Sequence, residues 1–331
     1  MAQYTIFKLH FSTPLHIGLG RSSYDSSASD LHSDTLSAAL ASIKAQHGAN
    51  SQEIKSFLDS FVLSSAFPFE GKRYFLPLPL NIERLLIDGK DDVNYRKNLK
   101  SIRFVESSVW KEILSTGKPS ISGSQIHDEY VTSINDKDFV APYKKQVVQR
   151  VAVSRSGEQA SSPFFFEWCF FDKIHDAGLY IIADAPQEVI DELKLLLQEL
   201  GEVGIGTDKT VGGGQFEVST DCLDLPSGQA DSWISLSLFI PAPEEWSKIE
   251  MNSSCYNITK RGGYLAGSSA AQFRHLWKKS VYMLEEGSVF RAETCPIGQI
   301  VDLRPVWNDA ELHPVYRSGK ALFLPINLKY A

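Results

Sequence analysis

Alternating hydrophobic and polar positions predict a β-strand at two widely separated places in the chain. In residues 4–11 the odd-numbered positions form a mostly apolar side, and in residues 232–240 the apolar side holds Ile234, Leu236 and Leu238. Successive side chains of a strand point to opposite faces, so each run predicts a strand with one buried face. Each strand opens a part of the chain that continues with other patterns, which predicts two α+β units rather than one parallel sheet.

Apolar positions spaced three and four apart predict three helices. The first carries a stripe from Leu36 to Ile43, is expected to be capped by Ser33 or Asp34, and should end at Gly48. The second covers residues 54–61. The third has the longest stripe, and we expect it to begin near Pro186 and to end at Gly201.

Two long segments lie between the second and third helices. Residues 87–141 show no long period and are interpreted as an insertion, whereas residues 144–171 contain two β-rich runs around SRSGEQASSP and predict a long hairpin. Short turn signals at 261–263, 286–287 and 318–319 predict further hairpins near the C-terminus. The predicted division is an N-terminal domain over residues 1–225 and a C-terminal domain over residues 226–331.

Composition excludes several classes of protein. The 331 residues are 43% hydrophobic and 22% charged, with a net charge of −7, which excludes a disordered chain and a general polycation. The four cysteines are far apart in the sequence, and we interpret them as thiols in a reducing compartment. With neither a signal peptide nor an apolar run long enough for a bilayer, the sequence predicts a soluble cytoplasmic protein with no membrane partner.

A glycine-rich loop follows the third predicted helix, in the string GEVGIGTDKTVGGGQF. It fails the Walker A pattern because Lys209-Thr210 follows Asp208, and it fails the GxGxxG pattern because position 209 is Lys. Both motifs also lie after a strand and before a helix, whereas this loop lies after a helix and before a strand. Nucleotide-enzyme interpretations are therefore excluded.

Two interpretations of the glycine loop remain open from its residues alone. Successive backbone N–H groups could form a concavity for anions, to which Thr207, Lys209 and Thr210 would add hydroxyls and a charge, as suits a sugar–phosphate chain. Equally, glycines allow a tight connection between closely packed elements.

The combination of strand, helix and glycine loop resembles the RAMP superfamily of CRISPR effector proteins. PLHIGLGRSS, HSDTLSAAL, RVAVSRSGEQA and HPVYRSGKALFLPI, together with the glycine loop, resemble the family of fourth subunits of the type III-A (Csm) complex. The resemblance runs from residue 14 to residue 326 and leaves out residues 87–141. It implies an α+β fold of two ferredoxin-like (RRM-like) domains, with the hairpin protruding as a thumb that kinks the guide–target duplex.

The function implied by this resemblance is non-catalytic. Such a subunit binds the 5′ tag of the CRISPR RNA (crRNA) and bridges the large polymerase/cyclase-like subunit and the backbone RAMP subunit, without a cofactor. The residues expected to contact RNA lie in the first β–α loop, the hairpin and the glycine loop: His16, Gly18, Arg21, Ser22, Arg150, Arg155, Gly204, Gly206, Thr207, Lys209, Thr210, Gly212, Gly213 and Gly214. The eight histidines lack HxxxH and HExxH spacings, so no metal site is expected.

Two enzymatic alternatives stay open. A RAMP endoribonuclease that processes repeat RNA would use His16 as general base, although 117 residues follow Gly214 and such enzymes usually carry the glycine loop near the C-terminus. A backbone subunit that cleaves target RNA would use Asp25 or Asp30. His32 with Asp34 could also be a metal pair, but the helix-cap interpretation of Asp34 is preferred. The aromatic run of residues 164–171 fits a core or a subunit contact.

Overall fold

The mixed α+β class predicted from the pattern is confirmed by a computed structural model. It describes residues 1–18, 26–28, 30–80, 86–88, 100–116, 120–133, 139–151, 163–265, 267–268, 270–307 and 311–326. The helices are α1 (Ser33–Gln46), α2 (Ser51–Asp59), α3 (Ser107–Thr116) and α4 (Gln187–Val203). None of the helices in these ranges combines the length and the apolar character needed to cross a bilayer.

The strands are mostly short, and the longest belong to the N-terminal half and to the hairpin. In chain order they are β1 (Ala2–Phe11), β2 (Ile17–Gly18), β3 (Ser27–Ala28), β4 (Val62–Leu63), β5 (Phe67–Glu70), β6 (Arg73–Pro77), β7 (Leu86–Asp88), β8 (Phe104–Glu106), β9 (Ser120–Ser122), β10 (Ile126–His127), β11 (Tyr130–Val131), β12 (Tyr143–Val151), β13 (Pro163–Phe171), β14 (Ala177–Asp184), β15 (Phe216–Leu225), β16 (Ser232–Ser235), β17 (Ile258–Arg261), β18 (Val281–Leu284), β19 (Val289–Arg291), β20 (Ile300–Asp302), β21 (Tyr316–Ser318) and β22 (Phe323–Pro325).

One large sheet organises the N-terminal half. Its strand order is β10-β11-β8-β6-β5-β14-β1-β15, and β1 lies antiparallel between β14 and β15. Strands β1, β5, β14 and β15 with helices α1 and α4 follow one another as β-α-β-β-α-β. The strand predicted over residues 4–11 is therefore the second-last strand of this sheet, and it has a buried side chain on both faces.

The two faces of the large sheet are covered by different parts of the chain. Phe7 and Leu9 of β1 pack with α1, α2 and α4 on one face. Ile6, on the opposite face of β1, shares a core cluster with Ile234 and Leu324 from the C-terminal region. Because burial of apolar side chains provides most of the driving force for folding, the N-terminal and C-terminal regions are held together by a common core.

The predicted helix ends are partly corrected. Gly48, with φ of 91°, follows α1 as predicted. However, Ser33 and Asp34 do not cap α1, because its N-cap is His32 and makes no side-chain capping bond. Helix α4 continues through Gly201 and ends before Gly204, which has φ of 85°. Gly201 is required instead for contact, since a Cβ atom there would collide with the carbonyl group of Phe216.

Several described segments within residues 87–141 contribute to the core. Strands β8 and β11 extend the large sheet beyond β6, with β8 antiparallel to β6 and parallel to β11. Helix α3 packs beside them, and its Trp110 and Ile113 are fully buried. Strands β8 and β11 are too short to show an alternating pattern in the sequence, and they become strands only through pairing with distant neighbours.

The C-terminal region consists of short strands, and the described residues from 226 onward include no α-helix. Strands β19, β16 and β22 form one sheet, while β17 with β18 and β20 with β21 form separate pairs. The three predicted hairpins are wrong, because none of the turns joins two strands that pair with each other. After the turn at 261–263, β17 pairs with β18, which begins 20 residues after β17 ends. The turns at 286–287 and 318–319 each connect strands of different sheets. Local turn signals mark a change of direction and do not determine the pairing partner.

Candidate nucleic-acid interface

The first β–α loop is anchored to the base of the hairpin. The backbone N–H of Leu15 donates to the carbonyl of Cys169 at 3.0 Å, and that of Cys169 donates back at 2.8 Å. The N–H of Ser27 donates to the Glu167 carboxylate at 2.7 Å, and the Lys145 ammonium donates to the Ser27 carbonyl at 2.7 Å. The two segments, distant in sequence, therefore form one unit.

The predicted long hairpin is present as β12 paired antiparallel with β13, from the pair Tyr143–Phe171 to the pair Val151–Pro163. Phe166 and Cys169 are buried, whereas Val151 and Phe165 are 51% and 56% exposed. Its turn, residues 152–162, lies outside the described residues. The aromatic run thus mixes buried side chains with exposed ones, which include Phe165 and Phe170.

The glycine loop is a tight connection between α4 and β15. The N–H of Thr207 donates to the carbonyl of His16 at 3.1 Å, and that of Gly214 donates to the carbonyl of Pro14 at 2.8 Å. Gly206 has φ of 107°, and a Cβ atom there would collide with the His16 carbonyl oxygen. The loop and the first β–α loop therefore lie backbone against backbone, an approach that only glycine permits.

Most of the loop's N–H groups are used inside the protein. The N–H of Ile205 donates to Gly214, and those of Val211 and Gly213 both donate to the carbonyl of Asp208. The packing interpretation of the glycines accordingly accounts for most of the backbone. What the loop offers to a ligand is a set of exposed side chains: Thr207, Lys209 and Thr210.

Arg150 joins the hairpin to the glycine loop. Its guanidinium group donates to the carboxylate of Asp208 and forms an ion pair with it. The same group lies 5.0 Å from the ring centre of Phe166 and 5.9 Å from that of Trp168. The Trp168 ring also lies so close to Gly213 that a Cβ atom there would be 2.8 Å away. Arg150 is thus a part of the loop–hairpin contact.

His16 lies beneath this contact and is 1% exposed. Its Nδ1 is 2.7 Å from the carbonyl oxygen of Glu167, which only accepts, so Nδ1 carries the proton. Nε2 is buried and has no hydrogen-bond partner among the residues that the structure describes. A general base must reach the proton that it removes, and the buried Nε2 does not reach the surface in this arrangement. The ring packs against Phe166, with 4.2 Å between ring centres.

The other predicted residues divide into two groups. Gly18 joins the cluster, since a Cβ atom there would be 2.7 Å from the Thr207 methyl group. Arg21, Ser22, Arg155 and Asp25 lie outside the described residues. Asp30 is described, and its carboxylate accepts from the guanidinium of Arg103.

A buried ionic cluster was missed by sequence reasoning. The side chain of Asp34 is fully buried and accepts from Arg261 at 2.8 and 3.0 Å and from Arg317 at 2.7 Å. Burial alone would raise the pKa of Asp34, but the guanidinium groups of Arg317 and Arg261 hold it well below its ordinary value. The interpretation of Asp34 as a helix cap is therefore corrected. The sequence shows the carboxylate in HSDTL and the arginine in VYRSG, but it does not show that the two form an ion pair.

No group of three or more metal-ligating side chains occurs in the described part of the chain. His32 belongs instead to an ion pair, with its Nδ1 2.8 Å from the Glu286 carboxylate. Burial by itself would lower the pKa of His32, but the charge of Glu286 and the hydrogen bond to it raise that pKa above its ordinary value. The Nδ1 atom of His32 is therefore engaged by the Glu286 carboxylate in this arrangement.

Comparison with protein families matches nearly the whole chain in two parts. Residues 8–217 match the RAMP superfamily, and residues 228–326 match the CRISPR Csm4 C-terminal domain. A curated relative, the CRISPR system Cms protein Csm4 of Thermococcus onnurineus (strain NA1), is 26% identical over 274 residues, which are 78% of this chain and 84% of the relative.

Solved structures with the same fold include two assemblies. A crystal structure of a Csm1-Csm4 cassette in complex with cA4 contains a chain that is 20% identical, with a TM-score of 0.65 and complete coverage of both chains. A crystal structure of a Csm3-Csm4 subcomplex in the type III-A CRISPR-Cas interference complex contains a chain that is 19% identical, with a TM-score of 0.64 and coverage of 99% of this chain and 100% of that one.

Proposed function

The chain belongs to the RAMP superfamily, and from that premise we propose that it is the crRNA 5′-tag-binding, architectural subunit of a type III-A CRISPR effector complex, acting in antiviral defence. In this role it bridges the large polymerase/cyclase-like subunit and the backbone RAMP subunit. The proposal is supported by similarity to Csm4 proteins over both halves of the chain.

The two partners are proposed from the solved assemblies of similar chains. One contains Csm1 with Csm4 and the other contains Csm3 with Csm4. Similarity in fold extends over essentially the entire chain in both cases, so the surfaces that meet two different neighbours have counterparts here. We therefore propose one contact with a Csm1-like subunit and another with a Csm3-like subunit, in the cytoplasm.

The RNA contact is proposed at the junction of the first β–α loop, the hairpin and the glycine loop. The single observation that carries it is the convergence of these three segments, with Gly206 against His16 and Asp208 against Arg150. Exposed polar and basic side chains surround the junction: Thr207, Lys209, Thr210, Lys144, Lys145 and Gln149. In a chain of net charge −7, such a local cluster is where a phosphate backbone would bind.

The predicted contacts acquire different roles within this proposal. Lys209 offers a charge to phosphate. Arg21, Ser22 and Arg155 lie outside the described residues and are proposed as contacts on the family resemblance. The glycines hold the backbone in place, and His16 positions the first loop from below. Arg150 contacts RNA only if its guanidinium group binds the Asp208 carboxylate and a phosphate at the same time.

We propose that the subunit has no chemistry of its own. The endoribonuclease alternative requires His16 as general base, and its ring is buried under the hairpin with Nδ1 already bonded to a carbonyl. The target-cleaving alternative requires Asp25 or Asp30, and the carboxylate of Asp30 is bonded to Arg103. Specificity would come instead from holding splayed bases of single-stranded RNA.

The finer division of the fold is also a proposal. We assign residues 1–225 to a ferredoxin-like (RRM-like) domain, supported by the β-α-β-β-α-β order, and residues 226–331 to a second RRM-like domain. The hairpin serves as a thumb, which is supported by the exposed apolar side chains that it carries, Val147, Val151 and Phe165.

Co-purification tests the bridging role. The chain is mixed with a Csm1-like subunit, with a Csm3-like subunit, and with both, and each mixture is analysed by size-exclusion chromatography with light scattering. We expect a binary complex with each partner and a ternary complex with both. If the two partners exclude each other from the chain, the bridging role is wrong.

A further inference from the structure

A pocket of about 370 Å³ lies between the N-terminal helices and the C-terminal region. One wall is the small-residue side of α1 with Ala41 and the start of α2 with Ile54, and the opposite wall includes Tyr264, Leu265 and Val315. Its volume and its mixture of apolar walls with a few polar groups are typical of sites for small molecules. None of its lining residues belongs to the first β–α loop, the hairpin or the glycine loop.

Two basic side chains line the same pocket, and both have unused hydrogen-bonding capacity. Nε of Arg317 is buried and has no partner, and the residue as a whole is 5% exposed. Lys278 also lines the pocket, and no hydrogen bond or ion pair joins its ammonium group to any residue in the described part of the chain. A buried donor without an acceptor is costly, and such groups commonly mark a place where a ligand binds.

The charges around the pocket do not cancel. Within the described residues, Asp34 is the one carboxylate that pairs with Arg261 and Arg317, and Lys278 adds a third positive charge. Burial, and then repulsion by Arg317 and Arg261, lower the pKa of Lys278 to about 8, despite the attraction of Asp34. One negative and three positive groups leave an excess of about two positive charges, which a phosphate monoester with roughly −1.5 to −2 charges would match.

We propose that this pocket binds a nucleoside monophosphate or a compound of the same chemistry, a phosphate monoester on a planar body. The phosphate lies against the Lys278 ammonium group and supplies the acceptor that it lacks, while the buried guanidinium group of Arg317 contributes its positive charge. The planar body lies between the alanine side of α1 and the ring of Tyr264, which itself packs on Trp277 with 4.2 Å between ring centres. This site is separate from the proposed RNA junction.

Isothermal titration calorimetry with AMP tests the proposal on the full chain. We expect AMP to bind with a dissociation constant of about 1 mM or tighter. Adenosine and inorganic phosphate should bind more weakly than AMP, because each supplies only half of the contacts. K278M should weaken AMP binding by about tenfold or more, since it removes a charge-assisted hydrogen bond. A41L should weaken it as well by filling the pocket. K279M changes an exposed neighbouring lysine and should leave the affinity unchanged.

Three results would overturn the proposal. The first is no binding of AMP to the wild-type protein at several millimolar, and the second is an equal loss of affinity in K278M and K279M. The third is displacement of AMP by crRNA, which would make the pocket a part of the RNA site. Thermal unfolding of each variant verifies that it is folded, and unchanged tag-RNA binding by K278M would separate this site from the proposed function.

Discussion

The guanidinium group of Arg150 on β12 pairs with the carboxylate of Asp208 in the glycine loop. This ion pair, together with the Trp168 ring against Gly213, joins the hairpin to the loop at two points along its length. The relationship has a functional consequence, because a negative charge lies within the surface where we propose that RNA phosphates bind. Asp208 holds the Arg150 guanidinium group, and under this proposal it would compete with RNA for that charge.

Replacement of this carboxylate should strengthen RNA binding. In D208N, the amide oxygen still accepts a hydrogen bond but no longer neutralises Arg150. We expect tag-RNA affinity to rise a few-fold, with the salt slope increasing by up to about 1, since one more cation becomes available to phosphate. Fluorescence anisotropy at a series of salt concentrations measures both quantities. E202Q removes an exposed charge at the end of α4 and is the matched control; an equal gain in E202Q would contradict a specific role for the Arg150–Asp208 pair.

Lys209 is the exposed cation of the glycine loop, and its removal should weaken RNA binding. K209A is expected to reduce the salt slope by about 1, and R21A and R155A should do the same, because each would remove one phosphate contact. R150A should have a smaller effect, since its charge is already paired. K194A, on the exposed side of α4, serves as control. An unchanged slope in K209A, R21A and R155A together would exclude this surface as the RNA site.

The glycine loop should tolerate substitution at one glycine and not at another, although both have positive φ. G206A places a methyl group on the His16 carbonyl oxygen and should destabilise the protein by about 2–3 kcal/mol, with loss of RNA binding. G212A, at φ of 85° but with no atom within 4 Å of the added Cβ, should cost about 1 kcal/mol. Urea unfolding of both variants measures the difference. Equal costs would mean that close backbone contact is not what requires Gly206.

The buried carboxylate of Asp34 should be important for stability. D34N leaves Arg317 without its charged partner inside the protein and is expected to cost about 3 kcal/mol or more. E192Q, which breaks the half-exposed Lys44 pair, should cost less than about 1 kcal/mol. Chemical unfolding at pH 7 compares the two, and similar losses would contradict the assignment of Asp34 as a structural centre.

The stability that Asp34 contributes depends on pH, and the lowered pKa of its carboxyl group sets the direction of that dependence. Its folded-state pKa is lowered below the unfolded value of about 3.9. The stability that Asp34 contributes is therefore fully present above about pH 4 and is lost as the pH falls further. The difference between wild type and D34N should shrink in that acidic range. A difference that stays constant down to pH 2 would contradict the lowered pKa.

Removal of Lys278 should stabilise the protein in the absence of ligand. The pKa of Lys278 is lowered to about 8, so the unfolded chain binds more protons than the folded one between pH 8 and about 10.4. Its cost to stability is full below pH 8 and disappears as the pH rises through that window. K278M is expected to gain on the order of 1 kcal/mol at pH 7 and nothing at pH 10.5, measured by thermal unfolding. K279M should change nothing, and a destabilised K278M would contradict a burial cost at Lys278.

Sequence reasoning identified the elements whose signals are local. The strand β1, the end of α1 at Gly48 and the long hairpin follow from alternation, a positive-φ glycine and two β-rich runs separated by a turn. The family resemblance implied that residues of the first β–α loop, the hairpin and the glycine loop contact RNA, but the convergence of these segments was not predicted. It depends on contacts such as Gly206 with His16 that no local pattern contains.

The predictions that were wrong or missing depend on distant partners. Asp34 has the sequence position of a helix cap, but its ion pairs are with Arg261 and Arg317, 227 and 283 positions away. The turn at 318–319 has the residues of a hairpin turn, but β21 pairs with β20 and β22 pairs with β16. Strand pairing and buried charge pairing are decided by the packed core, which a one-dimensional pattern does not describe.

The most direct measurement of the central claim is a gel with 5′-labelled crRNA. The protein is added with and without the Csm1-like subunit, in EDTA, to RNA that carries its tag and to RNA with a scrambled tag, and both mobility and RNA length are followed. A tag-dependent shift with intact RNA is the predicted result. A shorter RNA band that disappears in H16A would contradict the account and make this chain a ribonuclease.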